Sequence, residues 1–486
     1  MKKILLLSFI LPCFLQVNAQ KIEVSYPPEL FNENFSGNVL LYLSKDNPKP
    51  KDVFVGAEII PAFRLKVENL HPNEKVVFDD KAISFPVELS NIERGEYFVQ
   101  AVFDRNLGGR TIGNSAGNLF SKTKKINLTK EFNKTFSIVC NQMAEDLSFS
   151  GNEYYQEIIV NSDLLSDFYK KPISINGAVS LPDEYYKKPE AQYPVVYTVF
   201  GFGGDYREPL RGDGITTLGN QPVITVYLDG SCPEGHSVYA NSDVNGPWGD
   251  ALVKEFIPAI NKKFRTNGAN LVTGHSSGGW TVLWLQINYP NTFAGCWASA
   301  PDQVDFRNYQ NKNIYETDNM YYDDNGHLTA DVTLAGFMPM IKSKDTYQME
   351  NVVYRGEQIH SFDAVFGAYD EEGDHIRLVI DPKTGDINKK ALQFWKRYDI
   401  SLLLRENWDK FKNEIDNKIL ITVGDQDNFY LNKAVHLLDD EMRKLNSNMK
   451  FVYFSGDHFT VHFNDDYQKK GHDFLEKCYQ NWYNNK

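Results

Sequence analysis

Two patterns of apolar and polar positions run along the chain. From about residue 21 to 140 short alternating or β-rich runs are separated by turn residues. Residues 38–43 (NVLLYL), 62–67 (AFRLKV) and 96–103 (EYFVQAVF) are such runs. Breaks fall at Asp46-Asn47-Pro48, His71-Pro72-Asn73 and Asn106-Leu107-Gly108-Gly109. No long stretch carries a 3.6-residue apolar period, so residues 20–150 are expected to form an antiparallel all-β sandwich.

From about residue 173 strands alternate with helices. Residues 194–200 (PVVYTVF) are a nearly continuous apolar run, as a strand covered on both faces requires, and 223–228 repeat it. Residues 251–264 place Leu252, Phe256, Ile257 and Ile260 at helical spacing, with Pro258 as a kink. A short strand at 271–273 precedes a helix at 278–288. Strands at 419–423 and 451–454 precede helices at 434–445 and 466–483. This rhythm predicts an α/β catalytic domain over 151–486, with a mostly parallel sheet and helices on both faces. Residues 301–397 interrupt it. They are polar and Tyr/Asp/Asn-rich, with turn signals at Asp324-Asn325-Gly326, Glu372-Gly373-Asp374 and Pro382-Lys383-Thr384-Gly385. An insertion beside the strand ends, acting as a lid or substrate wall, is expected.

Composition narrows the class. The 486 residues are 42% hydrophobic and 24% charged, which excludes fibres and wholly disordered chains. A net charge of −13 with no local basic patch argues against nucleic-acid partners. Residues 1–19 read as a signal peptide: Lys2 and Lys3, an apolar run at 4–15, and Val17-Asn18-Ala19 as the cleavage pattern. Export to a periplasmic or extracellular space follows. Lipid anchoring at Cys13 is disfavoured by Pro12, where a small residue is wanted; a buried N-terminal element is the other alternative. No later run is apolar enough to span a membrane. Cys140, Cys232, Cys296 and Cys478 are widely spaced without a CxxC pair, so no zinc or redox motif is read and buried free thiols are expected.

The chemistry concentrates at Gly274-His275-Ser276-Ser277-Gly278. It is G-x-S-x-G with a strand-like Asn270-Leu271-Val272-Thr273 before it and a helix-like run after it, the context of a nucleophile elbow. A serine needs a base. After the strand at 419–423 comes Gly424-Asp425-Gln426-Asp427, and Asp427 is preferred over Asp425 as the acid that orients it. After 451–454 comes Ser455-Gly456-Asp457-His458, and His458 is the expected base, with His462 as fallback. The order Ser, Asp, His is that of this class of hydrolase. Phe200-Gly201-Phe202-Gly203-Gly204 closes an apolar strand. The N–H groups of Phe202 and Ser277 are the expected oxyanion donors. Gly203, Trp248 and His275 are candidate substrate contacts. No metal and no cofactor is required. Arg211-Gly212-Asp213 and Asp323-Asp324-Asn325-Gly326 read as ordinary turns.

These segments resemble the Putative esterase branch of the α/β-hydrolases, which holds enterochelin, feruloyl and acetyl-xylan esterases, S-formylglutathione hydrolases and mycolyltransferases. The likeness runs through Tyr193-Pro194-Val195-Val196-Tyr197, Gly201-Phe202-Gly203-Gly204, Tyr239-Ala240-Asn241-Ser242, Gly246-Pro247-Trp248, residues 255–260, the elbow at Ser276, Asp427 and His458. It covers about 173–483, poorly in the insertion. Many relatives carry His where this chain has Phe200. The resemblance implies an α/β-hydrolase fold and a serine ester hydrolase. Its expected substrate is a small-molecule or polysaccharide-linked acyl ester, or a siderophore ester. The N-terminal region resembles, more weakly, the sandwich ahead of enterochelin-esterase-like catalytic domains. Two rival readings are a serine peptidase on the same fold and a non-catalytic carbohydrate- or partner-binding protein. Peptidases of the prolyl-oligopeptidase type usually carry a much longer leading domain, and a binding role would not require Ser, Asp and His in order.

Overall fold

The computed structural model describes residues 21–128, 135–207, 214–335, 337–373 and 375–486. The signal-peptide segment with Cys13, and the Arg211-Gly212-Asp213 tripeptide, lie outside the described residues. The chain divides into two units. One comprises the chain up to Lys51, Ile60–Asp104 and Leu119–Gln142; the other comprises Asp52–Ile59, Arg105–Asn118 and Met143–Lys486.

The first unit is β-rich. A three-stranded sheet joins Val76–Phe78, Lys21–Ser25 and Thr135–Val139, and a seven-stranded sheet is built around Phe35–Ser44, Ala62–Leu70 and Gly95–Asp104. Alternation selects the buried face. In Thr135–Val139 only Phe136 and Ile138 turn inward. They join Ile22, Val24, Val39, Leu41, Val99 and Phe103 in one core.

The second unit is built on eight strands. In chain order they are β1 Tyr155–Asn161, β2 Ser174–Ser180, β3 Tyr193–Val199, β4 Ile224–Leu228, β5 Thr266–His275, β6 Gly295–Ser299, β7 Ile419–Gly424 and β8 Lys450–Phe454. Their order across the sheet is β1-β2-β4-β3-β5-β6-β7-β8. The β1/β2 and β2/β4 pairs are antiparallel and every pair from β4/β3 to β7/β8 is parallel. Every residue of β3, β4, β6 and β7 is buried, and successive side chains enter opposite cores. Val195, Tyr197, Val272, Ala298 and Ile421 belong to one core, and Val196, Leu271, Trp297 and Leu420 to the other. The first is covered by helix α1, Ser277–Asn288, through Trp280, Val282 and Leu283. The second is covered by the C-terminal helix Asp465–Asn484, through Tyr467, Leu475 and Cys478. Burial of both faces explains the unbroken apolar runs.

Several elements differ from the periodicity reading. Strand β5 is ten residues long, and β1, β2 and β6 were not anticipated. The β6 sequence Gly-Cys-Trp-Ala-Ser is short and lacks the β-branched residues that mark a strand. The helix expected over 251–264 is broken. Trp248–Ala251 is α, Leu252–Phe256 is a π turn, and Ile257–Lys263 is α again. Pro258 lacks an N–H and its ring crowds the preceding turn, a recognised cause of such irregularity. The insertion carries secondary structure between its turn signals. It holds a hairpin of Ala330–Leu334 with Met338–Lys342, then α2 Ser343–Val353, α3 Gln358–Phe366 and α4 Lys389–Trp395. After it, α5 Ile400–Ile415 and α6 Leu431–Lys444 flank β7, and α7 is the C-terminal helix Asp465–Asn484.

The parallel registers bring the carboxyl ends of β3, β5, β6, β7 and β8 to one edge. All the loops that carry candidate chemistry leave from that edge, where open α/β sheets place their sites.

Candidate active site

Ser276 sits between β5 and α1 with φ 58° and ψ −124°, a strained conformation for a residue with a side chain. Its N–H donates to the Ser299 carbonyl at 3.0 Å, and its own carbonyl accepts from Asp302 N–H and Trp280 N–H, each at 3.1 Å. The flanking glycines are steric necessities. A Cβ on Gly274 would stand 2.4 Å from the Gly278 oxygen, and one on Gly278 would stand 2.1 Å from the Val199 oxygen. The turn can approach β3 this closely only without side chains.

His458 and Asp427 are joined. His458 Nδ1 lies 2.7 Å from Asp427 Oδ2, and both residues are buried. The other carboxylate oxygen, Oδ1, accepts the N–H groups of Phe429 at 2.9 Å and Leu431 at 3.3 Å, so the loop into α6 fixes the acid. The Asn428 side chain accepts the His458 N–H at 3.0 Å, and the Phe429 ring stands edge-on to the imidazole at 4.8 Å. Asp425 is exposed and accepts the Gly456 N–H at 3.2 Å. The His462 side chain lies outside the described residues.

Ser276 and His458 line one cavity of about 890 Å³. Its wall also includes Phe200, Gly201, Phe202 and Gly204, and Val332, Leu334, Ile341, Ile359 and Phe362 of the insertion. The His275 ring packs on that of His458 at 4.6 Å, and its Nδ1 lies 2.8 Å from Ser299 Oγ. Ser299 Oγ is 2.7 Å from Tyr467 Oη, which donates to the Thr422 carbonyl at 3.1 Å. Because a carbonyl only accepts, the proton order runs His275 to Ser299 to Tyr467 to Thr422, which places the His275 proton on Nδ1.

Gly201 brings the β3 loop to the elbow, since a Cβ there would be 3.2 Å from Ser276 Cβ. Ser277 N–H opens α1 and has no partner one turn earlier in its helix. The Phe202 ring carries the Arg110 guanidinium at 4.6 Å. Burial lowers the Arg110 pKa, and Glu357, Asp229 and Asp205 pull it back up. Phe200 stacks on Tyr227 at 5.7 Å.

Two expected substrate contacts stand elsewhere. Trp248 is only 2% exposed, edge-on to Tyr239 at 6.3 Å, with its indole N–H 3.5 Å from Tyr169 Oη. It is core: the indole is buried in a hydrophobic cluster with Tyr239, Leu252 and Phe256. Gly203, at φ 95°, turns the loop, and a Cβ there would meet Arg110. Its neighbours Phe202 and Gly204 line the cavity instead.

Asp302 was not anticipated. Ser276 Oγ donates to Asp302 Oδ1 at 3.3 Å, Ser277 Oγ donates to Oδ2 at 2.5 Å, and Gln358 Nε2 reaches Oδ2 at 3.2 Å and Ser277 Oγ at 3.1 Å. Burial pushes its carboxyl above the usual range, against the pull of Ser277 and His458. An acid just past a strand end was the signal that marked Asp427. It marks Asp302 equally once Gly295–Ser299 is seen as a strand. Arg110 comes from Arg105–Asn118, a segment far from the elbow along the chain that belongs to the hydrolase unit.

The family described as "Putative esterase" matches residues 172–474, more than half of the chain. No curated protein matches it. Similar solved structures include an S-formylglutathione hydrolase from Agrobacterium tumefaciens, 16% identical over 68% of this chain and 98% of that one, with a TM-score of 0.39. Est1E from Butyrivibrio proteoclasticus is 14% identical over 67% and 99%, with a TM-score of 0.37. A ferulic acid esterase is 14% identical over 67% and 99%, with a TM-score of 0.39. The chain therefore belongs to the Putative esterase family of α/β-hydrolases and is a carboxylic ester hydrolase.

Proposed function

We propose that the chain hydrolyses its ester through an acyl-enzyme on Ser276, with His458 as general base and Asp427 as the acid that orients it. The observation that carries this is the buried 2.7 Å contact of His458 Nδ1 with Asp427, beside the cavity that also holds the strained Ser276. With Nδ1 engaged, Nε2 is the nitrogen left to take a proton. The Ser276 hydroxyl turns from Asp302 to His458, loses its proton and attacks the ester carbonyl. The N–H groups of Ser277 and Phe202 receive the oxyanion. The imidazolium then protonates the leaving alcohol, and water repeats the sequence on the acyl-enzyme. The substrate is a polysaccharide-linked acyl group or a siderophore ester, for which a cavity of about 890 Å³ is large enough.

Export supports either substrate. We read residues 1–19 as a cleaved signal, and the two N-terminal sheets as a sandwich module (residues 20–150) ahead of the catalytic domain. Among the described residues no helix is long and apolar enough to cross a membrane.

A fluorophosphonate probe tests the assignment. It should label the wild type at Ser276, fail to label Ser276→Ala, and lose p-nitrophenyl acetate turnover with the label. An Ser276→Ala variant as active as wild type ends the reading.

A further inference from the structure

Among the described residues, acids dominate the ionisable groups that line the cavity over Ser276. Asp205, Asp302, Asp331, Glu350, Glu357 and Asp457 line it. Among the described residues on its wall there is no Lys or Arg, only the imidazoles of His275, His458 and His472. Four of the six acids are already answered. Asp205 pairs with Arg207 at 2.6 Å, Glu357 lies in the field of Arg110, Asp457 caps its own turn through Phe459 and Thr460 N–H, and Glu350 accepts the N–H groups of Ile359 and His360.

Among the described residues neither Asp302 nor Asp331 pairs with a Lys or Arg. Asp302 accepts from Ser276, Ser277 and Gln358, and the His458 imidazole pulls on it electrostatically. Asp331 is 4% exposed. Its Oδ1 accepts from Ser343 Oγ at 2.5 Å; among the described residues its buried Oδ2 has no close hydrogen-bond partner, although the Thr346 side chain helps hold the carboxyl's pKa down. A buried carboxylate oxygen without a donor is costly unless something in the working complex reaches it. At mildly alkaline pH Asp331, pushed up by burial to about 6, carries its charge.

We propose that this cavity selects its ester by charge: it rejects esters with an anionic group near the scissile bond, accepts uncharged ones, and favours a cationic alkylammonium group that reaches Asp302 and Asp331. The inference rests on the esterase reading and narrows it. An uncharged acyl ester on a polysaccharide fits such a wall, whereas a polyanionic catecholate chelate does not. The physical cause is Coulombic. Two like charges brought together away from water repel far more than they would in bulk, and a cation in the same place is held.

The test compares kcat/KM for three p-nitrophenyl esters of similar length at mildly alkaline pH: valerate, hemiglutarate and 4-(trimethylammonio)butyrate. The hemiglutarate should fall roughly tenfold or more below valerate, and the ammonium ester should match or exceed it. The gap should persist at high salt, because buried charges are screened little. It should narrow in Asp302→Asn and, separately, in Asp331→Asn, so that one misfolded variant leaves the other informative. Equal rates for all three esters, or a preferred hemiglutarate, overturn the charge rule while leaving the esterase intact. No turnover of any ester, together with no fluorophosphonate label at Ser276, overturns both.

Discussion

At Gly278 the space for a methyl group is occupied by the carbonyl oxygens of Val199 and Phe200, 2.1 and 2.7 Å from an ideal Cβ. Two positions earlier Ser276 holds φ 58° with a side chain in place. Such strain costs on the order of 1–3 kcal/mol. Ser276→Gly should therefore raise the melting temperature by a few degrees while abolishing ester turnover; calorimetry and a p-nitrophenyl ester assay check the two halves together. Asp427 is defined by its partners: Oδ2 on His458 and Oδ1 on two backbone N–H groups. An amide keeps the shape but removes the charge that favours the imidazolium. Asp427→Asn should lower kcat by about 10⁴, as in the protease triad, with little change in melting temperature. An unchanged kcat would move the orienting acid elsewhere.

Among the elements, strand ends decide what becomes chemistry. The apolar runs at β3, β4 and β7 were legible because strands buried on both faces must be apolar throughout. Strand β6 escaped, since five small or polarizable residues carry no strand signature, and with it went the meaning of Asp302. The helices of the insertion escaped for another reason. In α3 burial does not follow polarity: His360, Ser361 and Asp363 are buried along with Ile359, Phe362 and Phe366. Trp248 shows the converse error, an aromatic beside a motif that looks like a substrate contact and is core. Trp248→Phe should lower the melting temperature by several degrees, consistent with a lost hydrogen bond and a partly filled cavity, while KM for a p-nitrophenyl ester stays within about twofold. A large KM change with an unchanged melting temperature would return Trp248 to the site.

Across the whole molecule, the acidic balance of −13 continues into the interior of the hydrolase unit. Asp363 is buried, its carboxyl accepts the Val379 N–H at 2.8 Å, and burial pushes it up to about 8. Between the ordinary carboxylate value near 4 and 8 the native chain keeps a proton that the unfolded chain releases, so this group makes stability fall as pH rises through that window. Asp363→Asn keeps the acceptor and loses the ionisation. Its melting temperature should decline less than that of wild type between mildly acidic and mildly alkaline pH; parallel curves would show that Asp363 does not titrate in this range. The sequence by itself determined the elbow, the apolar strands of the sheet and the Ser, Asp, His order, because each is written in neighbouring residues through sterics, periodicity or turn chemistry. Only the tertiary structure decided that Asp302 meets Ser276, that Arg110 stacks on Phe202, and that carboxylates from the β6 loop and the insertion share one wall. Those contacts join residues far apart along the chain, and the forces that make them, burial and charge at close range, exist only after the sheet has brought its loops to one edge.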